Sequence, residues 1–222
     1  MALLYTSKPK GLLGIDIADN SVNLVELSKH SHLIRLECYA SAQLPAGAVI
    51  DGLIHNEIVL AETLQQLILT AKPCCRDAVI ALPDSAVIEK QFELPARLNK
   101  KQRQAQIEAL IAETIPYPIH DVAFDYWLAL TQPETEANQT FSVAVCRKQQ
   151  VQSREIVLAM AELNCIAIEL QSCAQWRSRE RLTSLSCVNL ALGVERTELL
   201  SMTGALEVAY GLAARGLVDG SN

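Results

Sequence analysis

The chain has 222 residues, half of them hydrophobic and a fifth charged, with a formal net charge of −6. That balance excludes an intrinsically disordered chain, and the net acidity weighs against a nucleic-acid partner, whose phosphates call for a basic footprint. The length allows one large domain or two small ones, each with a real core.

Residues 1–10 are a short basic lead. Gly11 to Ile17 is an apolar strand, and its Leu12 to Ile17 run, ended by Asp16, is too short for a signal-peptide core. Turn chemistry at Ala18 to Ser21 leads to a second strand, Val22 to Leu27, and Ser28 to Ser31 turns again. A third strand runs from Leu33 to Ala42, with Ile34, Leu36, Cys38 and Ala40 expected on one side and Arg35, Glu37 and Tyr39 on the other. After a loop at Pro45 to Gly52, Ile58, Ala61, Leu64, Leu67, Ile68 and Ala71 predict a helix over about 57–71, ended before Pro73. Ala78 to Leu82 has the size of a parallel strand beside the first. Meander, helix and strand in this order open an RNase H-like α/β module.

A small inserted module follows. Val87 to Leu94 reads as a strand closed by Pro95. Asn99 and Gln102 form a capping-box pattern, and Ile107, Leu110, Ile111, Thr114 and Ile115 make one helical stripe. Pro116 and Pro118 forbid continuation. A strand then places Phe124, Tyr126, Leu128 and Leu130 on one face, and a polar loop over 131–140 returns to a third strand, Phe141 to Cys146. Lys148 to Leu163 is helical by composition, Cys165 to Leu170 is a strand returning to the first module, and Ser172 with Gln175 caps a helix to about Leu182.

Residues 187–210 echo residues 12–40 in order and length of elements: strand Cys187 to Leu192, a turn at Gly193 to Arg196, strand Thr197 to Met202, and strand Ala205 to Tyr210. A lone meander with one apolar face needs a cover. The helix at 172–182 or a partner would supply it, so self-association into a homo-oligomer is an expectation. No apolar run spans a bilayer, because Ile156 to Leu170 is broken by Glu162 and Asn164. A cytoplasmic protein is expected. The seven cysteines are odd in number and irregular in spacing, which is no disulfide framework. Cys74 and Cys75 with His30 and His32 match no zinc spacing, so no metal is expected.

Three segments carry a family resemblance: GIDIADNSVNLVEL (Gly14 to Leu27), VIALPDSAVIEKQFELP (Val79 to Pro95) and IPYPIHDVAFDY (Ile115 to Tyr126). Together they resemble PilM, the type IV pilus assembly protein family related to the division protein FtsA, over roughly residues 11–210. The resemblance implies an α/β, actin-like (RNase H-like) fold, with subdomain 1A at 11–83 and 147–182 and an inserted subdomain 1C at 84–146. An incomplete subdomain 2A meander would occupy 185–212. The resemblance further implies a shortened form without the rest of 2A and 2B, as expected of HofM-type relatives linked to competence. It also implies a PilN-like bitopic inner-membrane partner whose cytoplasmic tail lies between 1A and 1C, near Leu82, Pro83, Ile115, Pro116 and Tyr117. Those residues equally suit a plain structural corner, with prolines fixing the chain direction and Tyr117 burying its ring.

Actin-like ATPases hold phosphate between two hairpins through backbone amides, with acids organising the magnesium waters. Asp16 and Ser21 match the first hairpin, and Gly193 and Thr197 the second, as a vestigial nucleotide site. Ala18 replaces a glycine, Asp19 adds a carboxylate repelled by phosphate at about 1 kcal/mol at 4 Å in water, and Ala191 replaces an aspartate. ATP binding and catalysis are therefore not expected. An RNase H-like nuclease would need clustered carboxylates; Asp16, Glu62 and Asp84 are the nominees. Arg97, Lys100, Lys101 and Arg103 crowd the start of the insert helix, the end a macrodipole disfavours for cations. They suit an acidic partner, lipid headgroups or a merely solvated face.

Overall fold

A computed structural model describes residues 11–30, 33–129, 137–182, 188–190 and 203–218. It divides into two compact units, one formed by residues up to Asp84 with those from Ser153 onward, the other by Ser85–Gln152.

The first unit is built on the meander β1 (Gly11–Ile17), β2 (Ser21–His30) and β3 (Leu33–Gln43). A small hairpin, β4 (Val49–Ile50) and β5 (Leu53–Ile54), precedes α1 (Glu57–Ala71) and β6 (Asp77–Leu82). Asn56 caps α1 by accepting from the Val59 amide at 3.1 Å, and Lys72, in the left-handed region at φ 52°, ends it. Later in the chain come α3 (Lys148–Met160), whose residues from Ser153 belong to this unit, β10 (Asn164–Leu170), α4 (Gln171–Leu182), β11 (Val188–Leu190), α5 (Thr203–Ala213) and the short α6 (Arg215–Val218). The sheet order is β10-β6-β1-β2-β3-β11, with β6 and β10 parallel to the first strand and β11 parallel to β3.

One face of this sheet packs Leu13, Ile15, Ile17, Val22 and Leu24 against Leu60, Leu64, Leu67 and Ile68 of α1 and Val157 and Leu158 of α3. The opposite face packs Leu12, Val79 and Ala81 against Val208 and Leu212 of α5 and Ala174 of α4, and Val25, Leu27 and Leu36 against Leu206, Ala209, Tyr210 and Ala213.

Two sequence expectations are corrected here. Residues 205–210 are helix, not strand: they lie inside α5, which covers the first meander from within the chain. Leu206, Ala209, Tyr210 and Ala213 fall at helical spacing, and the wider apolar surround that made the segment look alternating is buried against both sheet and α4. The expectation of self-association rested on an uncovered second meander, of which residues 191–202 lie outside the described residues. In β3, the register slips between Glu26 and Leu27, whose partners are Cys38 and Leu36, so Glu37 is an extra residue. The bulge flips the strand's sides. Ile34 and Leu36 join the α5 face, whereas Cys38 and Ala40 join the α1 face.

The second unit is a three-stranded antiparallel sheet, order β7-β9-β8, from β7 (Val87–Pro95), β8 (Val122–Leu128) and β9 (Asn138–Arg147). The helix α2 (Lys100–Thr114) covers one face, its Ile107 and Ile111 buried with Leu94, Ile115, Val122, Phe141, Val143 and Val145. Asn99 and Gln102 make both halves of a capping box. Thr114, placed by the sequence on the apolar stripe, is exposed and bonds back to the Leu110 carbonyl at 2.6 Å. Among the described residues no helix is long and apolar enough to cross a membrane.

Candidate functional site: the β1–β2 turn and the corner at Pro83

Alternation along β1 turns Asp16 to the α5 face, the same face as Gly14. The register pairs Asp16 with Asn23, and Asn23 Nδ2 donates to Asp16 Oδ2 at 3.4 Å while Ser41 Oγ donates to Asn23 Oδ1 at 2.7 Å. A polar line therefore crosses three strands. Asp16 is only 6% exposed, and burial pushes its carboxyl up from 3.8 to about 6, with the Asn23 bond pulling weakly the other way. Ser21 starts β2, half-buried, and its carbonyl accepts the Ala18 amide at 2.9 Å.

Asp19 does not face an empty phosphate cradle. Its carboxylate accepts the amides of Asp51 at 3.2 Å and Gly52 at 2.9 Å, the two central residues of the β4–β5 turn. Those residues have φ of 51° and 73°, the left-handed pair that a two-residue hairpin turn demands and that Asp-Gly supplies. An anion-accepting turn is thus already filled by an anion from the chain. The Ala18 amide is bonded and the Asp19 carboxylate is adjacent, so the residues of the first hairpin do not fit a phosphate. Gly193 and Thr197 lie outside the described residues.

The same turn meets the end of β6. A Cβ on Gly52 would lie 2.5 Å from Pro83 Cγ, so only glycine lets the proline ring sit there. Arg154, fully buried, donates from Nε to the Ala81 carbonyl at 2.8 Å and from Nη2 to the Gly52 carbonyl at 3.0 Å. Leu82 is buried and Pro83 half-buried. Asp84 accepts the Ser172 amide at 3.0 Å and the Ser172 hydroxyl, so α4 is capped across the chain by Asp84 and not by Ser172, as its sequence suggested. This use takes Asp84 out of the nuclease trio, and Glu62 is exposed on α1. Among the described residues no group of His, Cys, Asp or Glu is placed to hold a metal. Cys74 and Cys75 meet the buried Glu26 carboxylate through their backbone amides, each at 2.9 Å.

In the second unit Ile115 is buried in the core, Pro116 is exposed, and Tyr117 is half-buried with the Arg147 guanidinium 4.5 Å above its ring. The structure thus gathers Asp16 and Ser21 at one turn and Leu82 and Pro83 at a corner held to it by Asp19, Gly52 and Arg154. Ile115, Pro116 and Tyr117 form a separate cluster in the other unit.

A model of the type IV pilus assembly protein PilM family matches residues 14–189. The chain belongs to the PilM family. Its fold is similar to a solved structure described as the PilM–PilN type IV pilus biogenesis complex, with 25% identity and a TM-score of 0.68 over 77% of this chain and 50% of that one. It is also similar in fold to the cytoplasmic domain of EpsL, an inner-membrane component of the type II secretion system of Vibrio cholerae, with 15% identity and a TM-score of 0.51 over 74% and 59%. The chain spans half the length of the PilM–PilN structure it matches. The mixed α/β architecture is an actin-like module.

Sequence reasoning missed Arg154 and the β4–β5 turn. The Asp51-Gly52 pair was a legible turn signal. Arg154 carried none, since an arginine on a helix that reads as polar gives no hint of the Ala81 and Gly52 carbonyls it meets.

Proposed function

We propose that this PilM-family chain is a non-catalytic cytoplasmic scaffold of a type IV pilus or DNA-uptake assembly at the inner membrane. It holds the N-terminal cytoplasmic tail of a PilN-like bitopic protein and reaches the membrane through that partner. The observation that carries the reading is the 25% identical match to the PilM–PilN complex. In family terms, the first unit is the counterpart of subdomain 1A and the second of 1C. Leu82, Pro83, Ile115, Pro116 and Tyr117 are the tail-contact residues proposed.

The runner-up, an actin-like ATPase or filament former, draws on Asp16 and Ser21. Asp19 argues against it, because its carboxylate sits in the turn amides beside the place a phosphate would take. Titration of the full chain with a fluorescent peptide of the PilN-like tail, and separately with ATP, decides between them. The expected result is saturable peptide binding, weakened about tenfold by Tyr117→Ala, an aromatic anchor, with no ATP-dependent shift in thermal unfolding. ATP turnover without peptide binding would reverse the order of the two readings.

A further inference from the structure

The second unit carries a groove that the proposed tail residues do not touch. It has a volume of about 730 Å³ and is lined by residues 122–126 of β8 with Lys100, Arg103 and Gln104 of α2 and Lys148 at the start of α3. Successive side chains of a strand point to opposite faces. A groove reached by five consecutive residues therefore follows the strand's edge. β8 is the outer strand in the order β7-β9-β8. The ladder's phase says which of its groups are free for pairing. The Ala129 amide donates to the Thr140 carbonyl at 2.9 Å, so odd-numbered residues of β8 bond to β9 and the even-numbered ones, Phe124 and Tyr126 among them, turn their amides and carbonyls to the open edge.

Tyr126 bears this out. Its amide is taken by the side chain beside it, Asp125 Oδ1, at 2.8 Å. A carboxylate on an outward amide is a removable cover on an edge that would otherwise invite pairing. The charges around the groove are of the other sign. Among the described residues no carboxylate pairs with Lys100, Arg103 or Lys148. Arg103 is held in place by the Phe141 ring, 4.7 Å from its guanidinium carbon, and by the Leu98 carbonyl at 3.3 Å. Lys100 and Arg103 also stand in the first turn of α2, where the macrodipole opposes them. Cations kept unpaired at the unfavourable helix end, along an open strand edge, are complementary to an anionic strand.

We propose that the free edge of β8 accepts an extended, acidic segment of a partner protein as a fourth strand, with Lys100, Arg103 and Lys148 holding its carboxylates. Main-chain pairing supplies affinity and the cations supply choice. The site shares no residue with the five proposed for the PilN-like tail, so each assignment fails independently of the other.

The test uses the full chain and a fluorescein-labelled synthetic peptide that alternates glutamate with valine. Three controls accompany it: the lysine–valine counterpart, the glutamate–valine peptide methylated on alternate amides, and phosphatidylserine vesicles. The glutamate–valine peptide is expected to bind in preference to all three. Lys100→Glu with Lys148→Glu, both at exposed positions, should weaken it about tenfold or more and flatten its salt dependence. Asp125→Ala, also exposed, should tighten it by uncovering the Tyr126 amide and removing an acid from the groove. Unchanged affinity in the double variant, weakening in Asp125→Ala, equal binding of the methylated peptide, or binding to vesicles in place of peptide would each overturn the proposal.

Discussion

The two faces of the first unit's sheet differ in one respect: only the one under α5 brings a helix backbone against a strand. On the α1 face, large aliphatic side chains stand between sheet and helix: Leu13, Ile15, Val22 and Leu24 meet Leu60, Leu64 and Leu67. On the α5 face the helix backbone comes down onto the strand. A Cβ on Gly14 would lie 1.8 Å from the Ala209 carbonyl oxygen and 2.6 Å from the Ala213 nitrogen, and one on Gly211 would lie 1.9 Å from the Ala174 carbonyl oxygen of α4. Both faces bury large side chains, but the second adds to Val25, Leu27, Leu36, Leu206 and Tyr210 a close backbone approach at Gly14 that any larger residue would block. A large-residue core tolerates loss of a side chain at a graded cost. A backbone contact tolerates no addition at all.

The largest effect should therefore come from the smallest substitution. Gly14→Ala puts a methyl group inside the α5 backbone, which has no flexible side-chain end to yield. The loss should reach about 4 kcal/mol or more, beyond the usual overpacking cost, and it should be local in origin. Hydrogen exchange would find the α5 amides deprotected while those of α1 keep their protection. Equal deprotection of both helices would mean the two faces do not differ in the way their contacts say.

Leu64→Ala is the matching change on the other face. Leu64 is fully buried among side chains from the sheet and α1. Its truncation should cost about 2–5 kcal/mol, set by how far the cavity collapses, and lower the midpoint of urea unfolding without separating α1 from the rest of the unit. A loss under about 1 kcal/mol would show that this face also lives by close approach.

This contrast also explains what the sequence could and could not tell. The α1 face was legible because Leu64, Leu67 and Ile68 recur at helical spacing against polar neighbours, and Pro73 marks the end. The capping box at Asn99 was legible for the same local reason. α5 was not. A helix buried between a sheet and another helix is apolar on several sides, so Leu206, Val208 and Tyr210 pass for an alternating strand. The glycine that would have betrayed it, Gly14, sits in a distant strand and shows its purpose only once α5 lies on it. The β3 bulge was equally hidden, because an extra residue at Glu37 has no composition signal of its own. At the first hairpin, the sequence showed Asp19 only as an added carboxylate. Its actual use, binding the Asp51–Gly52 amides, depended on a contact about thirty residues away in the chain, a separation at which local pattern carries no information.

The finest comparison is within the α5 face itself, where Gly14 and Asp16 are neighbours on β1. One keeps the face close, and the other puts a buried acid at its end. Burial raises the Asp16 carboxyl from 3.8 to about 6 in the folded chain. Between those values the folded protein holds a proton that the unfolded chain has released, so the native state is favoured at low pH and that advantage is lost as the pH rises toward 6. Above about pH 6 the carboxylate is charged in both states and costs the fold at most about 3 kcal/mol. Asp16→Asn preserves the shape and the bond from Asn23 Nδ2 while removing the charge. It should stabilise the protein at pH 7 and change little near pH 4. The difference between variant and wild type, read from urea midpoints, should grow from pH 4 to pH 6 and then level. Glu26, also buried and raised, acts in the same direction in both proteins and cancels from that difference. A difference independent of pH would mean that Asp16 folds as a charged group throughout, and an Asp16 stabilised in that form would revive it as an acid able to organise a cation.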